Sequence, residues 1–268
     1  MAAYPKTLSG KTVATYVNTH TDLSDELYRE GKLVSDNYKN ILRSQTNAAA
    51  IPAEVTVRYG VTVRRANLRN LPTGEGLFFY AGDRNFDALQ ETALDPGEAV
   101  AILHTSTNGY FYYVQAYNYR GWLSKFDVAE TDRSIWLRYA EPKNFLTVVA
   151  KDYTLKADGA QVLFQQGARL QLADKKASAY TVKVPVRTKE GKLQEEKVVL
   201  AANASLHEGY LPYTTNNIIR SAFKFYDSVY GWGGLQQSVD CSSFISNAYR
   251  TVGIFLPRNA DEQETSAG

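Results

Sequence analysis

The chain contains a single cysteine, Cys241, and its surroundings are those of a thiol that can act as a nucleophile. Apolar residues follow it at helical spacing: Phe244, Ile245, Ala248, Tyr249 and Val252, before Gly253. The pattern predicts a helix whose first turn contains Cys241. Unpaired backbone N–H groups and the helix dipole favour the thiolate there, and the thiolate is the reactive form. The alternative is a buried structural cysteine, because free cysteine behaves as a small hydrophobe.

Other residue types narrow the chemistry that Cys241 can take part in. One cysteine excludes an internal disulfide and a multi-cysteine zinc site. The three histidines, His20, His104 and His207, are scattered and lack the spacing of metal ligands. We therefore expect no metal and no cofactor, and the expected chemistry is a thiol activated by a neighbouring base.

The segment that must position Cys241 starts with a second predicted helix. Thr214 and Thr215 can cap it, and one apolar stripe follows: Ile218, Ile219, Ala222, Phe223 and Tyr226. We expect this helix to pack on a core. The run Tyr230-Gly231-Trp232-Gly233-Gly234 then predicts a glycine-rich turn that contains an aromatic residue.

Composition excludes several classes of protein. The 268 residues include 30 Lys+Arg and 28 Asp+Glu, a net charge of +2, so no nucleic-acid partner is expected. With 44% apolar residues the chain can bury a core. The apolar runs, such as residues 99–103, are far shorter than a membrane-spanning helix requires. The amino terminus lacks the apolar stretch of a signal sequence, so either the protein is intracellular or that segment is not in this chain.

Two β-rich units are predicted in the middle of the chain, at residues 54–140 and 141–210. In the first β unit, Asn108-Gly109 between apolar runs predicts a hairpin with a type I′ turn. In the second β unit, apolar residues alternate as in a half-buried strand: Tyr180, Val182, Val184 and Val186. Glu190-Gly191 and the charged run 189–197 predict an exposed hairpin tip with a solvated face.

Residues 1–53 are predicted to form a helical arm. Asp22–Lys32 has acidic residues early and basic residues late, the order that a helix dipole favours. Ser35–Arg43 has apolar residues at helical spacing after a possible Ser35 cap, and residues 45–52 form a connector. The last predicted unit, residues 211–268, contains the two helices around Cys241 and is called the C-terminal segment.

Residues 223–263 closely resemble the opening half of the papain-like NlpC/p60 catalytic domain of bacterial cell-wall cysteine peptidases. The resemblance rests on three motifs: Tyr230-Gly231-Trp232-Gly233-Gly234, Asp240-Cys241-Ser242 with Phe244, and Leu256-Pro257-Arg258. Both β units resemble bacterial SH3 domains, the first through Tyr119-Arg120-Gly121-Trp122. This order of domains is similar to that of γ-D-glutamyl-diamino acid endopeptidases of the dipeptidyl-peptidase VI type. The expected fold class is therefore multidomain and β-rich: two SH3-like barrels, a helical arm and the helical half of an α+β domain.

The resemblance implies a role for each matching residue. Cys241 becomes the nucleophile, with Asp240 and Ser242 beside it. Tyr119 and Glu91 of the first β unit would close one end of the groove and contact the free amine of the stem peptide. The alternative for Tyr119 is a barrel aromatic beside Trp122. Two further residues line the groove: Trp232, with the alternative of a core aromatic under the glycine loop, and Asn259.

The chain also departs from the family pattern. Ser243 stands where Gly is frequent, and Asn259 and Ala260 stand where some relatives have Asp and Ser. Asparagine can hydrogen-bond an ammonium group without neutralising it. The resemblance implies a catalytic histidine on a strand after the cysteine, but no histidine follows Cys241. We therefore expect a truncated form or a portion of a longer protein, with apolar faces of its two last helices left bare.

The expected function is hydrolysis of peptidoglycan stem peptides at the γ-D-Glu-diamino acid bond. The expected partner is a peptide with a free L-Ala-γ-D-Glu-diamino acid terminus, and no nucleic acid or membrane span is expected. The alternatives are a non-catalytic SH3-type cell-wall-binding protein and, more weakly, a structural scaffold. The expected location is the bacterial cell envelope, periplasmic or secreted, with the signal peptide outside this chain, or the cytoplasm if the peptides are being recycled.

Overall fold

The computed structural model describes residues 1, 3–19 and 23–266. The arm contains β1 (Thr7–Ser9), α1 (Gly10–Asn18), β2 (Tyr28–Arg29), β3 (Lys32–Leu33) and α2 (Asp36–Ser44). The predicted helix α2 and its cap are confirmed, since the Tyr38 N–H donates to Ser35 Oγ at 3.3 Å. Helix α1, which the sequence analysis did not predict, places Val13 and Val17 in the core of the first β unit.

The predicted helix at Asp22–Lys32 is wrong over the part that the structure describes. Residues 28–33 form a β-hairpin whose two turn residues, Glu30 and Gly31, both have a positive φ. The order of charges alone suggested this helix, and glycine at a left-handed position favours a turn instead. Asp22 and His20 lie outside the described residues.

The first β unit is a strongly curved antiparallel sheet. Its strands are β4 (Glu54–Thr56), β5 (Arg58–Thr62), β6 (Ala66–Arg69), β7 (Gln90–Leu94), β8 (Ala99–Thr105), β9 (Phe111–Gln115), β10 (Arg120–Ser124) and β11 (Val128–Thr131). The order in the seven-stranded sheet is β11-β5-β8-β9-β10-β6-β7, while β4 pairs with β1. Trp122 and Trp136 are fully buried in its core, and the helix α3 (Arg133–Ala140) follows.

The hairpin predicted at Asn108-Gly109 is confirmed, because β8 pairs with β9. Its turn is not type I′, since Gly109 has a positive φ and Asn108 does not. The Asn108 side chain instead accepts hydrogen bonds from the Tyr110 N–H and from Ser106 Oγ. These bonds stabilise a longer loop, which the sequence signal for two-residue turns could not distinguish.

The second β unit contains β12 (Phe145–Val148), β13 (Asp152–Ala157), β14 (Ala160–Gln165), β15 (Arg169–Lys176), β16 (Ala179–Arg187), β17 (Leu193–Ala201) and β18 (Leu206–Glu208). The five-stranded sheet has the order β17-β16-β15-β12-β18, and β13 pairs with β14. The predicted alternation along β16 is confirmed, because Val182 and Val184 are buried in the core.

The predicted turn at Glu190-Gly191 is present, but the hairpin tip is not a free solvated face. Gly191 is buried, and its carbonyl accepts a hydrogen bond from the Glu130 N–H at 2.8 Å. Glu195 forms ion pairs with Arg138 and Lys183. The charged run therefore contacts the first β unit and α3, which its composition alone does not reveal.

The C-terminal segment is helical. It contains α4 (Thr215–Ala222), 3-10 turns at Phe223–Phe225 and Trp232–Gln237, α5 (Cys241–Arg250) and α6 (Ala260–Glu264). The Thr214 cap is confirmed, and α4 packs against α5, where the hydroxyls of Ser221 and Thr251 lie 3.0 Å apart. In the described part of the chain, no helix has the length and apolarity needed to cross a membrane.

Only part of the stripe predicted along α4 is covered. Apolar side chains on α4, α5 and the intervening turn are exposed: Ile219 47%, Phe223 68%, Tyr226 82% and Ile245 40%. The expectation that these helices leave apolar faces bare is confirmed. The fold as a whole has the predicted class, with a helical arm, two β units and a helical C-terminal segment.

Candidate active site

Cys241 is the first residue of α5, and a capping box fixes the start of that helix. Asp240 Oδ1 accepts a hydrogen bond from the Ser243 N–H, and Ser243 Oγ accepts one from the Asp240 N–H, each at 2.9 Å. This reciprocal pair satisfies two of the unpaired donors at the start of the helix. Cys241 itself is exposed. The thiol therefore faces solvent from the first helical turn, the position that the sequence predicts, and the alternative of a buried cysteine is wrong.

Asp240 is held by a buried ion pair. Its Oδ2 lies 2.5 Å from Arg258 Nη2 and accepts a hydrogen bond from the Gly233 N–H at 3.0 Å. Burial by itself raises the pKa of Asp240, but Arg258 and the hydrogen bonds from Ser243 outweigh burial and lower it. The carboxylate therefore stays ionised, and both of its oxygens already have hydrogen-bond partners. This favours a structural role for Asp240 over proton transfer.

Ser242 lies on the same buried side of the helix. Its Oγ accepts a hydrogen bond from Arg258 Nη1 at 2.6 Å, and its side chain is buried. Asp240 and Ser242 are thus next to Cys241, as expected, but their polar atoms point into the protein. Both side chains contact Arg258 on the buried side of the helix start.

Tyr119, Glu91 and Asn259 come together at the edge of the first β unit. Tyr119 Oη donates to Glu91 Oε2 at 2.7 Å, and Asn259 interacts with the same tyrosine. Arg258 Nη2 donates to the Glu91 carbonyl at 2.8 Å, which ties this group to the cap of α5. Burial, followed by the charge of Glu91, raises the pKa of Tyr119, so its hydroxyl stays neutral. These three residues, far apart in sequence, form one polar cluster.

The glycine-rich turn packs closely on strand β7. A Cβ added to Gly233 would lie 2.5 Å from the Gln90 side chain, and one added to Gly234 would lie 2.8 Å from Ala93 Cβ. Both glycines also have positive φ. Only glycine permits this approach, so the motif serves to join the C-terminal segment to the first β unit.

Trp232 lies at the surface rather than under the glycine loop. Its indole N–H donates to the Asp87 carbonyl at 3.1 Å, and 37% of the residue is exposed. The ring of Phe86 lies against it, with centroids 5.6 Å apart. Trp232 therefore has the exposure that a groove wall requires.

Tyr230 is a residue that the sequence analysis did not select for the site. Its hydroxyl lies beside both the thiol and the backbone N–H of Cys241. Burial, followed by the neighbouring Cys241, raises the pKa of Tyr230, so the phenol remains a neutral hydrogen-bond donor. Its place at the start of the glycine-rich motif is the signal that would have indicated it.

The two described histidines, His104 and His207, form their hydrogen bonds with residues away from Cys241. His104 Nε2 lies 3.0 Å from the Asn47 carbonyl, and burial lowers the pKa of this imidazole. His207 Nδ1 lies 3.3 Å from the Gly209 carbonyl. Within the described residues no group of His, Cys, Asp or Glu is arranged to hold a metal ion. Cys241 therefore presents an exposed thiol with a neighbouring phenol, and Arg258 links its helix start to the polar cluster.

Comparison with known proteins agrees with this geometry. Residues 77–124 match the model of an SH3 domain of the SH3b1 type, and residues 227–267 match the NlpC/P60 family. No curated protein matches the chain at a significant level.

Two solved structures share the fold. An NlpC/P60 endopeptidase from Photobacterium damselae subsp. piscicida has a TM-score of 0.73 and 23% identity, over 95% of this chain and 56% of that one. An NlpC/P60 family protein from Bacillus cereus ATCC 10987 has a TM-score of 0.53 and 16% identity, over 67% of this chain and 60% of that one. The chain thus spans little more than half the length of each. The chain is thus similar to an SH3 domain over residues 77–124 and to the NlpC/P60 family over residues 227–267.

Proposed function

We propose that the chain belongs to a cysteine hydrolase of peptidoglycan stem peptides that cleaves the bond between D-glutamate and the diamino acid. One observation carries the proposal. The exposed thiol of Cys241, at the capped start of α5, is linked to the polar cluster of Tyr119, Glu91 and Asn259 through Arg258, which pairs with Asp240 and donates to the Glu91 carbonyl. This arrangement supports a nucleophilic role for Cys241 and an amine-binding role for the cluster.

The proposed reaction begins with attack of the Cys241 thiolate on the γ-carbonyl carbon of D-glutamate. The C–N bond breaks, the diamino acid leaves as an amine after gaining a proton, and a thioester remains. Water then hydrolyses the thioester and restores the thiol. The Tyr230 hydroxyl lies beside Cys241 and can donate a hydrogen bond during the attack by the thiolate. The proton acceptor is assigned to no described residue, since His104 and His207 lie elsewhere.

The polar cluster suits a free amino end. An ammonium group is a cation with three N–H donors, and the cluster combines the Glu91 carboxylate with the polar side chains of Tyr119 and Asn259. Glu91 supplies the negative charge that Asn259 lacks. An acylated amine has neither the charge nor enough donors, so this cluster favours peptides with a free L-Ala terminus.

An affinity label tests the proposal without requiring full turnover. The label is L-Ala-γ-D-Glu with a chloromethyl ketone in place of the scissile amide. Cys241 Sγ attacks the chloromethyl carbon, chloride leaves, and a thioether joins the label to the protein. We expect labelling that saturates with concentration and is slower for the N-acetylated label. Iodoacetamide should label the folded protein readily, because the thiol is exposed. Cys241→Ala provides the blank, since the chain has no other cysteine.

The competing function is a binding protein for cell-wall peptides with an inert C-terminal segment. The position of the described histidines away from Cys241 favours it. A binding protein would retain the tripeptide but react with the label no faster than a simple thiol does. Labelling that neither saturates nor depends on the free amine would contradict the proposed hydrolase. If the hydrolase proposal holds, the cell envelope or peptide recycling in the cytoplasm is the expected place of action.

A further inference from the structure

Three exposed aromatic residues from two parts of the chain form one group, and one of them, Tyr230, lies beside Cys241. Phe86 comes from the long loop between β6 and β7, whereas Tyr230 and Trp232 belong to the glycine-rich turn. The Phe86 ring lies 5.6 Å from Trp232 and 6.1 Å from Tyr230, centroid to centroid. The three residues are 45%, 48% and 37% exposed for Phe86, Tyr230 and Trp232 respectively. We call this group the aromatic wall.

Hydrogen bonds on both sides of Phe86 hold the wall in place. The Asn85 and Phe86 N–H groups both donate to Asp83 Oδ1, and Asn85 Oδ1 accepts from Gln236 Nε2 at 3.1 Å. On the other side, the Asp87 carbonyl accepts from the Trp232 indole. An exposed ring fixed in this way is prepared to contact a ligand, because little of its freedom remains to be lost on binding.

Phe79 is a natural comparison. It lies in the same loop and is 44% exposed, nearly the same as Phe86. Among the described residues it has no aromatic contact with the wall, and it is not tied to the glycine-rich turn. Both residues therefore expose apolar surface, but of the two only Phe86 contacts Tyr230, the aromatic residue beside Cys241.

We propose that the aromatic wall, with Phe86 as its contribution from the first β unit, binds the side chain of the diamino acid and thereby sets specificity for that residue. The inference rests on the proposed function. Aromatic faces attract a cation and pack well against methylene groups. A diamino acid side chain provides both, as an aliphatic chain that ends in an ammonium group.

The span of the site agrees with this assignment. Phe86 and Glu91 are five residues apart, so their Cα atoms are separated by at most about 18 Å. An extended tripeptide with one γ-linkage covers roughly 10 to 13 Å. With its free amine at Glu91, such a peptide is long enough to extend over most of this maximum separation. The wall and the polar cluster thus bind different ends of one ligand.

Trp232 provides a direct readout. The chain has three tryptophans, and Trp122 and Trp136 are fully buried. Changes in tryptophan emission on adding a peptide therefore arise mainly at Trp232. We would titrate Cys241→Ala protein, in which no cleavage occurs, with L-Ala-γ-D-Glu-L-Lys and with its neutral counterpart ending in L-norleucine. The two peptides differ only in the terminal ammonium group.

Four variants in this background complete the test: Phe86→Ala, Phe86→Leu, Phe86→Tyr and Phe79→Ala. We expect Phe86→Ala and Phe86→Leu to weaken binding of the lysine peptide by about 2- to 30-fold, and binding of the norleucine peptide by less. Phe86→Tyr keeps the aromatic face and should bind like the parent, as should Phe79→Ala. Melting temperatures would identify any variant that fails to fold, and Phe86→Leu retains most of the apolar volume.

The outcomes separate the two proposals. If the parent protein binds the lysine peptide and Phe86→Leu binds it equally well, the role of Phe86 is overturned and the proposed function stands. An equal loss for the lysine and norleucine peptides would overturn recognition of the ammonium group. If neither peptide binds the parent protein, the proposed function fails and this inference fails with it.

Discussion

At the level of single residues, the Tyr119 hydroxyl is the group that we propose distinguishes a free amine from an acylated one. Its proton is donated to Glu91 Oε2 and Asn259 also bonds its hydroxyl, so an entering amine would exchange hydrogen bonds with groups that are already held in place. Burial and Glu91 together raise its pKa, which keeps the hydroxyl neutral over the working pH range. The contact therefore depends on hydrogen bonding and not on the charge of the tyrosine.

Tyr119→Phe should weaken selection of the free amino end. We expect the concentration of free-amine label needed for half-maximal labelling of Cys241 to rise by about 10-fold, with little change in the limiting rate. The N-acetylated label should change much less. Tyr112→Phe is the matched control, since Tyr112 also donates to a glutamate, Glu130 Oε1 at 2.8 Å, in the same β unit. Equal discrimination in the Tyr119→Phe and parent proteins would contradict this role.

Residues near Cys241 differ in how well the sequence predicts them. The position of Cys241 follows from Asp240 as a cap and from the apolar stripe of α5, both of which are local patterns. The cluster of Tyr119, Glu91 and Asn259 came only from resemblance to a family, because residues so far apart leave no local signal. Tyr230 was missed as a site residue, although its motif was recognised. A phenol beside a thiol becomes evident only when the chain is folded.

At the level of elements, α5 depends on its cap more than an ordinary helix does. Asp240 closes the capping box and also balances the buried charge of Arg258. The start of α4 has a simpler cap, in which Thr214 Oγ1 accepts from the Asn217 N–H at 3.2 Å. The two helices therefore allow a comparison of a cap with a buried ion pair and a cap without one.

Asp240→Ala should lower the free energy of unfolding by about 3–5 kcal/mol, because it leaves Arg258 buried without its partner. Thr214→Ala should cost only about 1 kcal/mol. Urea unfolding at pH 7 measures both. The folded pKa of Asp240 is depressed, so its contribution is present above about pH 4 and is lost as the pH falls through the folded value. A loss for Asp240→Ala no larger than that for Thr214→Ala would contradict the buried role.

The elements that the sequence predicts correctly are those with an unambiguous period. Helices α2, α4 and α5 have apolar stripes and caps, and β16 alternates. The predicted helix at residues 22–32 had a favourable order of charges but no apolar stripe to bury. The tip at residues 188–192 has a correct turn, but its docking onto Glu130 depends on a distant strand. Local patterns predict elements, and contacts between elements decide their exposure.

At the level of the whole molecule, the three parts of the chain meet around Asp95. Arg250 of α5 pairs with Asp95 and Glu98 at 3.3 and 2.5 Å, and Arg65 pairs with Asp95 at 3.1 Å. From the second β unit, the Gln165 N–H donates to Asp95 Oδ1 at 2.9 Å, and Gln165 Oε1 accepts from Asn247 of α5 at 3.0 Å. These residues come from distant parts of the sequence, so the junction could not be predicted from local patterns.

This junction fixes α5 relative to both β units, and thus fixes Cys241 relative to the polar cluster and the aromatic wall. Each ion-paired side chain in it is at most 12% exposed. Charges so buried are strongly destabilising when one partner is removed. The buried ion pairs make the junction sensitive to substitution. They also mean that the position of Cys241 does not depend on the segments that connect the parts of the chain.

Arg250→Met should therefore lower the free energy of unfolding by about 3–5 kcal/mol, since Asp95 and Glu98 lose a buried partner. Arg138→Met removes a pair with Glu195 whose arginine side chain is 51% exposed, and should cost at most about 1 kcal/mol. Besides urea unfolding, the free-amine label gives a second readout. Because Arg250 does not line the polar cluster, a shift of α5 would reduce selection of the free amine without any change in Tyr119 or Glu91. Unchanged stability, with unchanged selection of the free amine, would show that the three parts hold the site without this junction.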